Sequence, residues 1–411
     1  MFAMQLPDIC EAFDRQDRDG LQRIFGENVI VEDHRLVGIG RIDNAEAYAD
    51  SIAELWKLAP DTRLDGAWSA LAYRRDGWVT RLLRYGTLPD GGAFESEYLC
   101  VFTNVDGRTT SDLYDVEAAD VALARFEELK PVGQNIPPNR ATLVGQSTVE
   151  NFRTGDWDAT RQLIDDNFHY EDRGRRALVT GDAETWIASM RFLAELPESR
   201  VRWEPVAVFG DLIALNRLWN WSGPEGGGES EIEHLHLIEI AGSGQIRSVA
   251  LFDPEDRAEA FLEGLRRFFA GEAGGGMELA PFLAFTEAFA RHDLDAARAC
   301  LSSGFELCDH RPLSFGLIDG DQWIASIAVM GESAPDFSGD TVRVLAWNRH
   351  GLVVVQRLYG NLRDGGPFEN VLAGVYMVSG GLVTRAEVFP GEDVDKAVAR
   401  FWELSARGLP L

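Results

Sequence analysis

Apolar residues in this chain alternate between helical and strand spacing. Near the N-terminus, residues 6–15 and 19–25 carry apolar side chains at helical intervals. Residues 78–83 and 98–102 are rich in β-forming residues and are bounded by Gly and Asp turns. The pattern predicts two helices, a strand, a third helix, a strand meander and a closing helix. This order is typical of an α+β fold, in which a curved antiparallel sheet packs against helices and closes around a pocket.

Three parts of the chain carry the same features in the same register. The segments 31–35, 170–173 and 307–311 align on a shared aspartate. An acidic residue precedes each aspartate, an aromatic opens the following helix, and paired glycines mark a later turn. These are Asp17, Asp156 and Asp293; Tyr48, Trp186 and Trp323; and the pairs at 91–92, 226–227 and 365–366. The period of about 138 residues is a domain length rather than a solenoid repeat.

The joins between these parts are rich in proline and glycine. Residues 131–138 hold three prolines and residues 271–276 hold four glycines, which is typical of linkers. We therefore predict three tandem cone-shaped modules at residues 1–131, 139–271 and 277–411. They are called segments 1, 2 and 3 below.

The order of elements, with Val-Glu-Asp after the second helix, resembles the nuclear transport factor 2-like superfamily. That superfamily includes ketosteroid isomerases and SnoaL-type polyketide cyclases. Residues 31–43 and 387–390 look like a bacterial subgroup that accompanies multidomain regulatory proteins. The resemblance implies a cone-shaped sheet over helices with an internal apolar pocket. It does not transfer a function, because the fold hosts enzymes, carriers and structural modules.

The shared aspartates Asp33, Asp172 and Asp309 are the first candidates for catalysis. Successive side chains of a strand face opposite sides, and each aspartate shares its face with apolar neighbours. The alternation therefore predicts three carboxylates inside the cones, where desolvation raises a carboxyl pKa towards that of a general base. For Asp33 and Asp309, the alternative is a carboxylate that accepts hydrogen bonds from backbone N–H groups of the following turn.

The resemblance matches these aspartates to the general base of ketosteroid isomerases. Those enzymes also use a tyrosine on the first helix, and the corresponding positions here hold Ile9, Thr148 and Phe285. A second polar group on a late strand is expected at Leu99, His236 and Ala373. Only segment 2 has a polar residue there.

Segment 2 carries two histidines, His234 and His236, on one strand face. Three interpretations remain open: a hydrogen-bonded buried network, a base-and-acid pair of Asp172 with His236, and a metal site of two histidines and Asp172. We predict no metal and no cofactor.

Other recurring residues are candidates for contact with a ligand. Tyr48, Trp186 and Trp323 are expected in the core or the pocket wall, at the start of an amphipathic helix. Arg217 and Arg357 are candidate carboxylate clamps at the pocket mouth, with plain surface charge as the alternative. The pairs His34 and Arg35, and His310 and Arg311, are expected at the rim or the surface.

The composition of the chain limits the kinds of partner that it can bind. The chain has a net charge of −28, which repels nucleic-acid backbones and anionic membranes. Four cysteines without a disulfide pattern, and an N-terminus without a signal peptide, predict a cytoplasmic protein. An apolar outer sheet face on one of three modules predicts a homodimer.

Three functions are compatible with the sequence. The first is binding of a small apolar molecule in a sensory or regulatory role. The second is a cofactor-free isomerase, dehydratase or cyclase that uses a pocket aspartate as its base. The third is a protein-interaction scaffold.

Overall fold

The structure is a computed structural model of the 411-residue chain. It describes residues 5–74, 76–105, 108–129, 136–175, 179–223, 230–274, 277–311, 314, 316–363 and 365–406. The glycine pair 226–227 and parts of both predicted linkers lie outside these residues. Within the described part, no helix is long and apolar enough to span a membrane.

Segment 1 contains two helices, a short hairpin, a third helix and a four-stranded meander. The helices are α1 (Gln5–Asp14), α2 (Arg18–Phe25), α3 (Ala45–Leu58) and α4 (Ala119–Glu128), with a short 3-10 helix at Val116–Ala118. The strands are β1 (Val29–Asp33), β2 (Arg41–Ile42), β3 (Arg63–Arg74), β4 (Gly77–Thr87), β5 (Ala93–Val105) and β6 (Arg108–Tyr114).

Segment 2 has the same order of elements. Its helices are α5 (Arg140–Thr154), α6 (Trp157–Gln162), α7 (Ala183–Ala194) and α8 (Arg257–Ala270), with a 3-10 helix at Pro254–Asp256. Its strands are β7 (Ile164–Asp172), β8 (Thr180–Gly181), β9 (Arg200–Phe209), β10 (Ile213–Ser222), β11 (Ser230–Ile240) and β12 (Ile246–Phe252).

Segment 3 repeats this order once more. A 3-10 helix at Met277–Leu279 precedes α9 (Ala280–Ala290), α10 (Leu294–Ala299), α11 (Gly320–Ser333) and α12 (Val394–Ala406). The strands are β13 (Leu301–Asp309), β14 (Leu317–Asp319), β15 (Ser338–Asn348), β16 (Gly351–Asn361), β17 (Pro367–Ser379) and β18 (Leu382–Pro390). The prediction of an α+β fold is confirmed.

The described residues form two compact units, and the limits of these units differ from the segment boundaries. One unit holds described residues within 1–132, 329–338 and 358–371, and the other holds those within 133–328, 339–357 and 372–411. In the first unit Phe368 pairs with Tyr73 of β3, and the two rings stack at 5.4 Å. In the second, β15 runs parallel to β9 at Val208 and Phe209. Parts of segment 3 thus pack with each of the other segments.

The first long strand of each segment lies parallel to the last strand of its meander. The pairs Asp33 and Leu113, Asp172 and Leu251, and Asp309 and Val388 occupy the same register. The shared aspartate therefore ends its strand at the same place in all three segments.

The recurring acidic residue before each aspartate caps a helix. The three residues are Asp17 before α2, Asp156 before α6 and Asp293 before α10. Each accepts a hydrogen bond from a backbone N–H in the first turn of its helix, at 2.8, 2.9 and 3.0 Å respectively. An N-cap carboxylate satisfies a donor that the helix itself leaves unpaired. This part of the repeat is structural.

Ion pairs join the closing helix to the last strand in segments 1 and 3. The buried carboxylate of Asp112 on β6 accepts a hydrogen bond from Arg125 on α4 at 2.7 Å. Glu387 on β18, also fully buried, accepts two from Arg400 on α12 at 2.9 and 3.0 Å. A charge buried in this way is stable only while its partner remains.

In segment 2 the closing helix supplies the negative charge of the ion pair instead of the positive one. Ala250 occupies the strand position, and the helix position holds the acidic Glu263. Glu263 accepts a hydrogen bond at 3.2 Å from Arg173, just beyond β7. The closing helix is therefore held by an ion pair in every segment, with the charges exchanged in segment 2.

We expect Glu387→Gln to lower the free energy of unfolding by about 3 kcal/mol at pH 7, because Arg400 and Arg385 then lose a buried counter-charge. Burial alone raises the pKa of Glu387, but hydrogen bonds from Arg400, Arg385 and His310 lower it to about 2. The stabilisation is present above the ordinary pKa of 4.5 and is lost as the pH falls through about 2.

Urea unfolding of the wild type and the variant at several pH values measures this difference. It should be largest above pH 4.5 and shrink below it. The control is Glu403→Gln, because Glu403 also contacts Arg400 but its side chain is 56% exposed. A loss that is equal for both variants, or independent of pH, contradicts the expectation.

Candidate functional site

A cavity of about 1080 Å³ lies inside segment 2. Gly145, Thr148 and Val149 of α5 form one side, and Trp186 and Met190 of α7 form another. The sheet contributes apolar and polar side chains: Tyr170, Asp172, Val201, Trp203, Leu218, Asn220, Ile232, His234, His236, Leu251 and Phe252. A cavity of this size with mainly apolar walls is typical of a small-molecule site.

Strand β11 runs from the mouth of the cavity to its closed end. Ile232 is 45% exposed, His234 is half-buried and His236 is 5% exposed. Both histidines line the cavity, because residues two apart on a strand face the same side. Trp186 stacks against the ring of His236 with centroids 6.3 Å apart.

Both imidazoles are neutral at pH 7. Burial lowers the pKa of His234 to about 4, and burial together with the neighbouring His234 lowers the pKa of His236 to about 3. A neutral imidazole offers one hydrogen-bond donor and one acceptor. The closed end of the cavity therefore presents hydrogen-bonding capacity without charge.

Two buried polar atoms at this end have no hydrogen-bond partner among the described residues. They are Nδ1 of His236 and Oδ1 of Asn216, its cross-strand partner on β10. A buried polar atom without a partner costs about 1–3 kcal/mol. A ligand group that hydrogen-bonds to His236 recovers part of that cost.

Asp172 lies at the end of β7 and also lines the cavity. Its Oδ1 accepts the backbone N–H of Gly174 at 2.9 Å. Gly174 stands two residues after the aspartate and carries no side chain to cover the carboxylate. Asp172 is therefore open to a bound molecule.

Asp33 and Asp309 are in a different environment. Arg35 donates through Nε and Nη2 to the two oxygens of Asp33 at 2.8 and 2.7 Å, and Arg311 does the same to Asp309 at 2.9 and 2.8 Å. Neither carboxylate is exposed to solvent. Backbone N–H groups of the following turn, including that of Ile39 at 2.9 Å, also bind Asp33, as the alternative from the sequence anticipated.

Two predictions about these residues are wrong. Burial acts to raise the pKa of Asp33, but the hydrogen bonds from Arg35 and Ile39 outweigh it and lower that pKa. Arg35 and Arg311 were expected at the rim or surface, yet their side chains are 11% and 22% exposed and fold back onto the aspartates. The signal was available in the sequence, since arginine follows the aspartate by two positions in segments 1 and 3 but not in segment 2.

The two candidate carboxylate clamps are engaged in ion pairs. Arg217 pairs with Glu233 on the neighbouring strand and lies over the ring of Trp219. Arg357 donates to the buried carboxylate of Asp340 at 3.0 Å. Arg217 does not line the cavity of segment 2 within the described residues. Neither arginine offers a free guanidinium to a ligand carboxylate.

The aromatic residues that open the third helix of each segment differ in role. Trp186 lines the cavity. Tyr48 packs edge-on against Phe25 at 4.9 Å. Trp323 stacks between Phe285 and Phe305, at 4.8 and 5.2 Å. Tyr48 and Trp323 therefore contribute to packing, as the sequence allowed.

The observed strand pairing shows which residues of segments 1 and 3 correspond to His236, and they differ from the residues expected from the sequence. His236 lies opposite Leu251, the neighbour of Asp172. The residue opposite Leu113 in segment 1 is Cys100, and the one opposite Val388 in segment 3 is Gly374. The predicted positions Leu99 and Ala373 are each one residue away, on the other face of the strand.

A cluster of metal-ligand type lies outside the cavity. Ligand atoms of Glu32, His34 and Asp112 lie within 4.8 Å of one another. Arg41 donates to Glu32 and Arg125 to Asp112, both at 2.7 Å, so the carboxylates already have cationic partners. Among the described residues, Asp172, His234 and His236 do not form such a cluster.

Residues 146–249 match the SnoaL-like domain family. This range is about a quarter of the chain, and it holds Asp172, both cavity histidines and most of the cavity wall. Segment 2 therefore contains a SnoaL-like domain. No curated protein matches the chain.

Several solved structures are similar to a part of this chain. A Mycobacterium tuberculosis protein in complex with estradiol-17beta-hemisuccinate is 17% identical, covers 28% of this chain and 92% of its own, and has a TM-score of 0.25. An NTF2-like protein from Anabaena variabilis is 18% identical, and the match covers 29% of this chain and 90% of that protein, with a TM-score of 0.24. A candidate SnoaL-like polyketide cyclase from Jannaschia is 19% identical, and the match covers 28% of this chain and 84% of that protein, with a TM-score of 0.24.

Proposed function

We propose that segment 2 binds a small, largely apolar molecule whose hydrogen-bonding group meets His236 at the closed end of the cavity. The observation that carries the proposal is the 5% exposed His236, whose Nδ1 is buried without a partner among the described residues while its ring lines the cavity. Apolar walls contribute binding energy through burial, and one hydrogen bond fixes orientation.

Charge at the mouth narrows the class of ligand. Glu231, Glu233, Asp253 and Glu255 line the cavity near its opening, with Arg175 as the basic residue among them. Acidic residues around an opening repel anions. Anions are therefore disfavoured, and the ligand that we propose carries a hydroxyl or carbonyl group for His236.

The repeated order of elements supports three tandem NTF2-like modules at residues 1–131, 139–271 and 277–411. In this arrangement segment 2 is the module whose aspartate faces a ligand, because the aspartates of segments 1 and 3 are tied to Arg35 and Arg311. Ligand binding by individual modules of a tandem array suits a sensory or regulatory protein. Homodimer formation and a cytoplasmic location remain predictions.

A second candidate function is proton transfer next to a carbonyl group. It is favoured by Asp172, which lines the same cavity as His236 and, among the described residues, lacks the arginine partner of the other two aspartates. In this reaction Asp172 removes a proton from carbon, and neutral His236 donates a hydrogen bond to the carbonyl oxygen.

We expect the wild type to bind 2-naphthol more tightly than its methyl ether, because the ether lacks the hydroxyl proton. In His236→Phe, which keeps a ring of similar size, the preference should fall by about fivefold to tenfold, the value of one buried hydrogen bond. Quenching of tryptophan fluorescence measures both affinities.

The control for this variant is His169→Phe, because His169 lies in the same segment but is 55% exposed and contacts Glu171. It should bind both compounds like the wild type. An unchanged preference in His236→Phe means that His236 does not meet the ligand, and the binding proposal then fails.

For the second candidate, we expect the protein to accelerate exchange of the α-protons of 2-tetralone with deuterated water. Asp172→Asn keeps the shape of the side chain but cannot accept the proton, so the rate should fall by roughly 10²–10⁴-fold. Proton NMR follows the exchange. A rate equal to that of buffer, in a wild type that binds 2-naphthol, removes the catalytic candidate and leaves binding intact.

A further inference from the structure

Segment 1 carries an arginine at a position that lines the cavity in segment 2. Strand register defines this equivalence. Arg84 lies opposite Ser96, four residues before Cys100, and Asn220 lies opposite Ile232, four residues before His236. Cys100 and His236 are themselves equivalent through their pairing with the last strand. Since Asn220 lines the cavity, Arg84 is on the inner face of segment 1.

The surroundings of Arg84 differ from those of the other inner-face arginine. Its guanidinium lies 5.8 Å from the ring centroid of Tyr98, and that of Arg35 lies 4.6 Å from the same ring. Arg35 is neutralised by Asp33 at 2.7 Å. Arg84 is half-buried, and its Nε is buried without a hydrogen-bond partner in the described part of segment 1.

Among the residues that the structure describes, the inner face of segment 1 therefore carries one positive charge in excess. Asp33 and Arg35 cancel, and no acidic side chain among the described residues lies within ion-pair distance of Arg84. The chain has a net charge of −28 and therefore many carboxylates, yet none of the described ones pairs with Arg84. The buried Nε–H of Arg84 lacks an acceptor, and a carboxylate is the best geometric partner of a guanidinium.

The tyrosines beside Arg84 suit an organic acid. Tyr98 is 7% exposed, and Tyr48 is in the same core with Ile52 and Leu6. These side chains present apolar and aromatic surface beside the cation. An acid with an apolar tail satisfies both features, since its carboxylate pairs with Arg84 and its tail packs on the rings.

We propose that segment 1 holds a second binding site, in which Arg84 recognises the carboxylate of a small organic acid with an apolar tail. The site goes beyond the cavity of segment 2, whose acidic mouth disfavours anions. The sequence pattern placed a carboxylate clamp at Arg217 and Arg357, whose guanidinium groups pair with Glu233 and Asp340 instead.

The test compares octanoate with 1-octanol, which has the same chain length and no charge. The Nε–H resonance of Arg84, assigned by its absence in Arg84→Leu, should shift when octanoate is added and should not shift with 1-octanol. This signal reports on segment 1 alone, so binding in segment 2 does not affect it.

Arg84→Leu should weaken octanoate binding at this site by at least about tenfold, as expected for a charged hydrogen bond. Leucine is compatible with the fold, because the eighth residue of β16 in segment 3, Leu358, corresponds to Arg84, the eighth residue of β4. Arg84→Lys keeps the charge and should retain part of the affinity, which separates loss of charge from loss of structure.

The matched control is Arg81→Leu. Arg81 is on the same strand but on the opposite face, where it pairs with Glu97 at 3.2 Å. This variant should bind octanoate like the wild type. The proposal is overturned if the Arg84 resonance does not move with octanoate, or if Arg84→Leu and Arg81→Leu weaken binding equally.

Discussion

The ion pair between an inward-facing aspartate and the arginine two residues later determines what the interior of each segment can do. In segments 1 and 3 both oxygens of the aspartate are bound by guanidinium nitrogens, within 2.9 Å. Removing one partner of such a pair leaves a desolvated charge, at a cost of about 3–5 kcal/mol. The aspartate is therefore covered, and it is not available as a base.

Segment 2 lacks this constraint because Gly174 replaces the arginine. The carboxylate of Asp172 then borders a cavity of about 1080 Å³ together with two neutral histidines. Arg173, one position earlier, faces the other side of the strand and pairs with Glu171 and Glu263. One substitution thus separates an interior whose aspartate is covered from one whose aspartate borders a cavity, while the closing helix is still held by an ion pair.

The sequence predicted the features that depend on local periodicity. Strand alternation placed the three aspartates and both histidines on inner faces, and helical spacing gave the order of elements. Features that depend on side-chain direction beyond the end of a strand were missed, because the turn after Asp33 returns Arg35 onto the carboxylate. Arg84 was missed because it does not recur in the other segments. The packing of Phe368 against Tyr73 joins residues far apart in the chain, which no local pattern encodes.

Gly174→Arg tests most directly whether the arginine decides between a covered aspartate and one that is open to a ligand. A Cβ at Gly174 meets side-chain oxygens of Asp172 and Asp253 at 3.0 and 3.2 Å, and these can shift. The account predicts that the new arginine pairs with Asp172 and lowers the affinity for 2-naphthol by at least about tenfold, whereas Gly174→Ala retains it. A well-folded Gly174→Arg protein, judged by circular dichroism, that binds 2-naphthol like the wild type would contradict the account.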